Sequence, residues 1–183
     1  QQKDGEECLS LSDFVKPCGT DYVGAFAVTA GRGIEEIISG YQQTDDFKAL
    51  LYQSLSDRLA EAAAELLHAR VRREVWGYAP DERIDRQRAL RAQYRGIRPA
   101  AGYPSLPDQS AIFAIEKIVG FANVGIAVTP NGAMSPASSV SGLMIAHPAS
   151  RYFMIGAIAP DQRRDYAARR GITEEELSKW LPK

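Results

Sequence analysis

The chain has 183 residues, a formal net charge of -1, 45% hydrophobic and 25% charged residues. This is the composition of a soluble globular protein of one domain, with or without a helical extension, and it gives no electrostatic reason to expect nucleic acid. No apolar run approaches the roughly 20 residues a membrane helix needs, and Cys8, Cys18, His68 and His147 make neither a disulfide framework nor a zinc signature.

Residues 1–20 are polar, anchored by Leu9, Leu11, Phe14 and Val15 and closed by Pro17-Cys18-Gly19. Gln1 is not an initiator methionine and no targeting signal is visible, so the chain is expected to be a piece of something longer. Tyr22 to Thr29 mixes Val and aromatic residues with small ones, which predicts a buried strand. Gly31 and Gly33 break it before a short helix over about 34–42. Thr44 is expected to cap a long helix with Asp45 and Asp46 in its first turn. Phe47, Leu51, Leu55, Leu59, Ala62 and Leu66, then Val71 and Val75, form its apolar stripe, widened by Leu50, Ala63 and Leu67. That spacing predicts roughly eight turns ending near Gly77. Ala60, Ala62, Ala63 and Ala64 would let another backbone come close. The charged tract from Pro80 to Tyr94 is expected to be helical in its second half, completing a helical subregion over about 44–94.

Farther along, Asp108 is placed to cap a helix through about Gly120, with Ile112, Phe113, Ile115, Ile118 and Val119 as its buried side. Alternating Val124, Ile126 and Val128 predict a strand over 121–129, and Asn131-Gly132 a turn. Two further strands, 138–147 and 151–158, would complete an antiparallel meander. Pro160 opens a helix through Arg170 with Gly171 at its stop, and Thr173 begins a short last helix. The expected class is α+β: an antiparallel sheet flanked by helices, with a helical hairpin projection.

Three groups of residues could carry chemistry. The first is Tyr94-Arg95-Gly96-Ile97-Arg98-Pro99-Ala100-Ala101-Gly102-Tyr103-Pro104, a segment with neither helical nor strand period. Pro99 keeps Arg98 out of the helical region, and Gly102 permits a turn or a close ligand approach. A guanidinium fixed beside a tyrosine on such a loop suits a carboxylate on a flat ligand; an ordinary surface loop is the alternative. The second is the polar side of the long helix, Asp57, Glu61, Glu65, His68 and Arg72. It reads as a solvated face laced with ion pairs, as a partner-facing surface, or as half of a di-metal site whose second half is absent. The third is Ser135 to Gly142 with His147 and Tyr152-Phe153. It lacks a nucleophile elbow and an orienting acid, so small residues that permit tight packing are the better reading.

Arg95 to Pro104 resembles the Arg-x-x-x-Gly-Tyr signature of the activation domain of cobalamin-dependent methionine synthase. So do Leu11 to Val15, Asp21 to Thr29, Asp57 to Ala62, Trp76 to Pro80, Ser138 to Gly142, His147-Pro148 and Tyr166 to Gly171, in the family's order. The resemblance implies that residues 1–183 are the C-terminal portion of such a domain. It implies binding of S-adenosylmethionine, whose methyl group would restore a cobalamin oxidised out of the catalytic cycle, with one electron from a flavodoxin-type donor. Arg98 would meet the ligand carboxylate, while Pro99, Ala100, Gly102 and Tyr103 would lie along the ligand and Tyr152 and Phe153 beside it. Asp57 and Glu61 would face the cobalamin-binding module, and the compartment would be the cytoplasm. Cobalamin and S-adenosylmethionine supply the reactive groups, so no general base is expected and the protein mainly positions.

Departures from the family pattern are Phe153 in place of a tyrosine, Ala101 in place of a proline, and Ala92 where a carboxylate can stand. An upstream acidic partner for the ligand amino group is also expected to be missing. The rival expectation is a truncated, non-catalytic interaction module that keeps the fold but not the ligand.

Overall fold

The computed structural model describes Gly5 and residues 7–182. Its centre is an antiparallel pair, β1 (Gly24–Thr29) and β4 (Ser139–Met144), in a register that sets Phe26 opposite Gly142. The far side of β4 is continued by the motif loop: Ile97 and Ile145 exchange backbone hydrogen bonds at 3.0 and 2.9 Å, and Leu143 N–H donates to Pro99 O at 2.9 Å. A second antiparallel pair joins β2 (Ala127–Val128) to β3 (Met134–Ser135) across the Asn131-Gly132 turn.

Helix α1 (Ile34–Gln42) packs on α2 (Asp46–Arg70), which lies across the β1–β4 sheet. Asp45 rather than Thr44 caps α2, its Oδ1 accepting from Lys48 N–H at 3.0 Å. The helix ends in a wider π turn, Val71–Val75. The charged tract beyond it is helical only over α3 (Arg86–Leu90).

The orientation of α2 reverses the expectation from its leucine stripe. Ala60 and Ala64 are fully buried against the sheet, whereas Phe47, Leu50, Leu51, Leu55, Leu59 and Leu66 are all more than half exposed. Small side chains allow the helix axis to approach β1 and β4, where Phe26, Met144 and Ala64 form a core with Leu67, Val71 and Trp76 around it. A leucine face would hold the helix farther away.

Helix α4 (Ala111–Val119) covers the other side of the sheet with Ile112 and Ile115, joined by Phe121 and Ile126. The predicted strand over 121–129 forms only at β2; its first half is a 3-10 turn, Phe121–Val124, because Gly120 and Gly125 at either end both adopt positive φ. No strand forms over 151–158, so the described residues contain no three-stranded meander. The Ser105 hydroxyl takes the place of a ladder partner, accepting from Phe153 N–H at 3.0 Å and donating to Phe153 O at 2.7 Å. The chain closes with α5 (Pro160–Arg170), Gly171 and α6 (Glu174–Leu177), as the cap residues predict. Buried Asp108 anchors α5 through Tyr166 and Arg170 and accepts from Ser110 N–H at 2.9 Å, one residue before α4 begins. No helix among the described residues is long and apolar enough to cross a membrane.

Candidate functional site

The motif loop is clamped from both ends. Arg95 donates to Tyr78 O at 2.9 Å and to Ala146 O at 3.1 Å, so the first arginine fastens the loop to its surroundings. The loop then runs along β4 at a separation only glycine permits: a Cβ on Gly142 would lie 2.4 Å from Pro99 O. Beyond Pro99 the chain folds into tight turns, with Gly102 N–H donating to Leu106 O at 2.9 Å. Gly102 has φ +81°, the left-handed region in which glycine is free of Cβ strain.

Arg98 projects from this frame toward α2. Its Nη2 donates to Glu65 Oε2 at 2.9 Å, and Glu61 Oε2 lies 3.9 Å from Nη1. Its backbone N–H donates to the Tyr152 hydroxyl at 3.0 Å. Burial disfavours the Arg98 charge, but the Glu65 hydrogen bond and the neighbouring tyrosines outweigh it and raise the pKa above the usual guanidinium value.

The polar side of α2 turns partly inward, which corrects the expectation of a solvated face. His68 and Arg72 are buried almost completely. Arg72 Nε donates to Glu82 Oε2 at 2.6 Å, and its guanidinium lies 4.1 Å from the centre of the Tyr94 ring. His68 Nε2 is 3.2 Å from the Tyr78 hydroxyl, and its ring meets Tyr94 edge-on. Desolvation, helped by Arg72 and Arg98, lowers the His68 pKa to about 3, so the ring is neutral at ordinary pH. Desolvation also raises the Tyr78 hydroxyl to about 12 and pushes Tyr94 up. This polar core under the motif loop was not anticipated. The helix-face spacing exposed one half of it; Tyr78 and Tyr94 stand in segments the sequence singles out, but nothing in the sequence pairs them with His68 or Arg72, and Glu82 carries no sequence mark.

Asp57 and Glu61 sit on the exposed rim of the same helix. Asp57 Oδ1 accepts from Ser138 Oγ at 2.6 Å and Gln53 Nε2 at 2.8 Å, which ties the rim to the start of β4. Of the remaining candidates, Pro99 is buried, Ala100 half-buried, and Gly102 and Tyr103 exposed. Tyr152 and Phe153 diverge: Tyr152 reaches Arg98, while Phe153 packs with Phe14, Ile97 and Ile145. Phe153 and Leu106 also line a cleft of about 630 Å³ between residues 8–11 and α5. Arg98 and Tyr152 are not among its walls. His147 is exposed and accepts from Ala149 N–H at 3.2 Å, and no hydrolytic triad forms around it among the described residues. Among the described residues no three His, Cys, Asp or Glu side chains gather as metal ligands.

Fold and site together define an α+β domain in which a glycine-bounded arginine loop is set against the carboxylates of one long helix. Residues 1–171 match the family described as vitamin B12 dependent methionine synthase, activation domain, and the chain belongs to that family. It is also similar to the crystal structure of the MetH reactivation domain bound to AdoHcy, at 40% identity and a TM-score of 0.92. The match covers 98% of this chain and 57% of that one.

Proposed function

We propose that this domain binds S-adenosylmethionine and offers its methyl group to a cobalamin held by another module of a methionine synthase. The observation that carries the reading is the likeness, over nearly the whole chain, to a reactivation domain bound to AdoHcy. AdoHcy is what S-adenosylmethionine becomes on losing its methyl group. Arg98 is the candidate for the ligand carboxylate, with Pro99, Ala100, Gly102 and Tyr103 along the ligand and Tyr152 and Phe153 beside it. Asp57 and Glu61, on the exposed rim of α2, are the candidate contacts to the cobalamin-binding module.

Bound cobalamin would supply the nucleophile that takes the methyl group from the sulfonium, with an electron from a flavodoxin-type donor. The domain's own part is to orient the sulfonium, and no proton has to be held or moved by this chain. A cytoplasmic setting belongs to the same reading.

Titration calorimetry with S-adenosylmethionine on the chain and on Arg98→Ala is the test. A charged hydrogen bond of about 1.5–3 kcal/mol predicts that the variant binds on the order of 10–100-fold more weakly. Equal affinities would remove Arg98 from the site. One observation favours the rival interaction module: Arg98 is already paired with Glu65. Absence of binding by the unsubstituted chain would favour that module.

A further inference from the structure

The pairing of Arg98 with Glu65 is incomplete in an informative way. Arg98 Nη2 and Glu65 Oε2 are joined at 2.9 Å, yet Arg98 Nε and Glu65 Oε1 are both buried with no hydrogen-bond partner among the described residues. In a guanidinium, Nε–H and one N–H of Nη2 lie along a single edge, and the two oxygens of one carboxylate are spaced to accept both. Glu65 therefore meets that edge through Nη2 alone, and the second bond of a bidentate pair, from Nε–H to Oε1, is not made. Nη1 is different. Half-exposed Glu61 lies 3.9 Å from it, beyond a hydrogen bond. Glu65 is itself steadied by the Tyr94 hydroxyl at 3.5 Å, and Arg98 by its backbone bond to Tyr152.

Resting on the ligand reading above, we infer that Glu65 is a positioning residue: it holds Arg98 by Nη2 from α2 and so leaves Nη1 for the carboxylate of an α-amino-acid ligand. Glu65 does not touch the ligand. It fixes the guanidinium that does, so the rotamer is set before binding and little side-chain entropy is lost on association. Glutamine at this position keeps an acceptor oxygen for Nη2; alanine leaves the guanidinium without a holder.

The test measures S-adenosylmethionine binding by calorimetry for the unsubstituted chain, E65Q, E65A, R98A and the E65A/R98A pair. The Arg98 Nε–H resonance is followed by NMR in each. E65A is expected to weaken binding about tenfold and E65Q by less than about threefold. The double variant should bind no more weakly than R98A alone, because Glu65 acts through Arg98. The buried Nε–H signal should persist in E65Q and be lost to solvent exchange in E65A. E65Q also guards against misfolding of E65A. Unchanged or tighter binding by E65A overturns the inference, since Glu65 would then be a competitor of the ligand. So do additive losses in the double variant. No binding by the unsubstituted chain instead defeats the ligand reading, and this inference falls with it.

Discussion

The guanidinium of Arg72 lies 4.1 Å from the centre of the Tyr94 ring, in a position where solvent reaches almost none of it. Its charge is balanced by Glu82 at 2.6 Å, and Glu82 also accepts from Arg95 N–H at 3.4 Å, linking the end of α2 to the motif loop. Two buried charges hold each other here, and one Arg72 nitrogen, Nη1, has no partner among the described residues.

Removing either member leaves the other unpaired, and the cost should follow how deeply the survivor is buried. Glu82→Ala strands a buried cation, and a loss of about 3–5 kcal/mol is expected. Arg72→Met strands the Glu82 carboxylate instead, but that side chain is 10% exposed against 2% for Arg72 and methionine keeps much of the volume, so its loss should be smaller. Urea denaturation of the two variants checks the order. A larger loss for Arg72→Met would mean that stacking on Tyr94 outweighs charge burial.

His68 gives the domain an acid sensitivity. Its pKa falls from 6.5 in the unfolded chain to about 3 in the fold. Between these values the unfolded state binds the extra proton, so stability is lost as the pH drops below about 6.5 and is fully present above it. By pH 5 the loss should reach about 2 kcal/mol. Stability curves of the unsubstituted chain and His68→Gln, compared over this range, should converge as pH falls; parallel curves would show that the ring is not held neutral.

Periodicity and cap chemistry located most helices from the sequence. Gly171 closes α5, Thr173 caps α6, and Gly120 closes α4 in the left-handed conformation. The motif loop was legible too, because Pro99 restricts the backbone and Gly102 permits a turn that other residues resist. What the sequence could not state was the partner of each polar group. Glu65 and His68 share a helix face by spacing, but whether that face meets solvent or Arg98 depends on which side of α2 the sheet occupies. Leucines at spacings of four argued for the opposite side. The strand expected at 151–158 failed for a related reason: a serine 48 residues away supplies the hydrogen bonds a neighbouring strand would have made.

The exposed leucines offer a direct check on the orientation of α2. Leu55 and Leu59 are each 54% exposed, whereas Ala64 is fully buried beside Phe26 and Met144. In this chain, Leu55→Gln and Leu59→Gln should each cost less than about 1 kcal/mol. Ala64→Leu, which must push the helix off the sheet, should cost about 1–3 kcal/mol. Thermal or urea denaturation decides between them. The reverse ranking would place the leucine stripe against the core after all.

Gly142 seats the motif loop on the sheet. It faces Phe26 across the β1–β4 pair, and its missing side chain is the space into which Pro99 O and the Ala100 backbone fit. A methyl group there would stand 2.4 Å from a carbonyl oxygen, closer than any Cβ contact, and the obstacle is backbone rather than a flexible side chain. Gly142→Ala should therefore lift residues 97–100 from β4, costing about 1–3 kcal/mol of stability. It should also move Arg98 away from Glu65. Gly40 is the control: it lies within α1, nothing is within 4 Å of its would-be Cβ, and Gly40→Ala should stabilise the chain by about 0.5–1 kcal/mol. Denaturation midpoints should thus move in opposite directions, and the Arg98 Nε–H resonance should shift only in Gly142→Ala. If Gly142→Ala leaves both the midpoint and that resonance in place, the loop is not seated on β4 through this glycine.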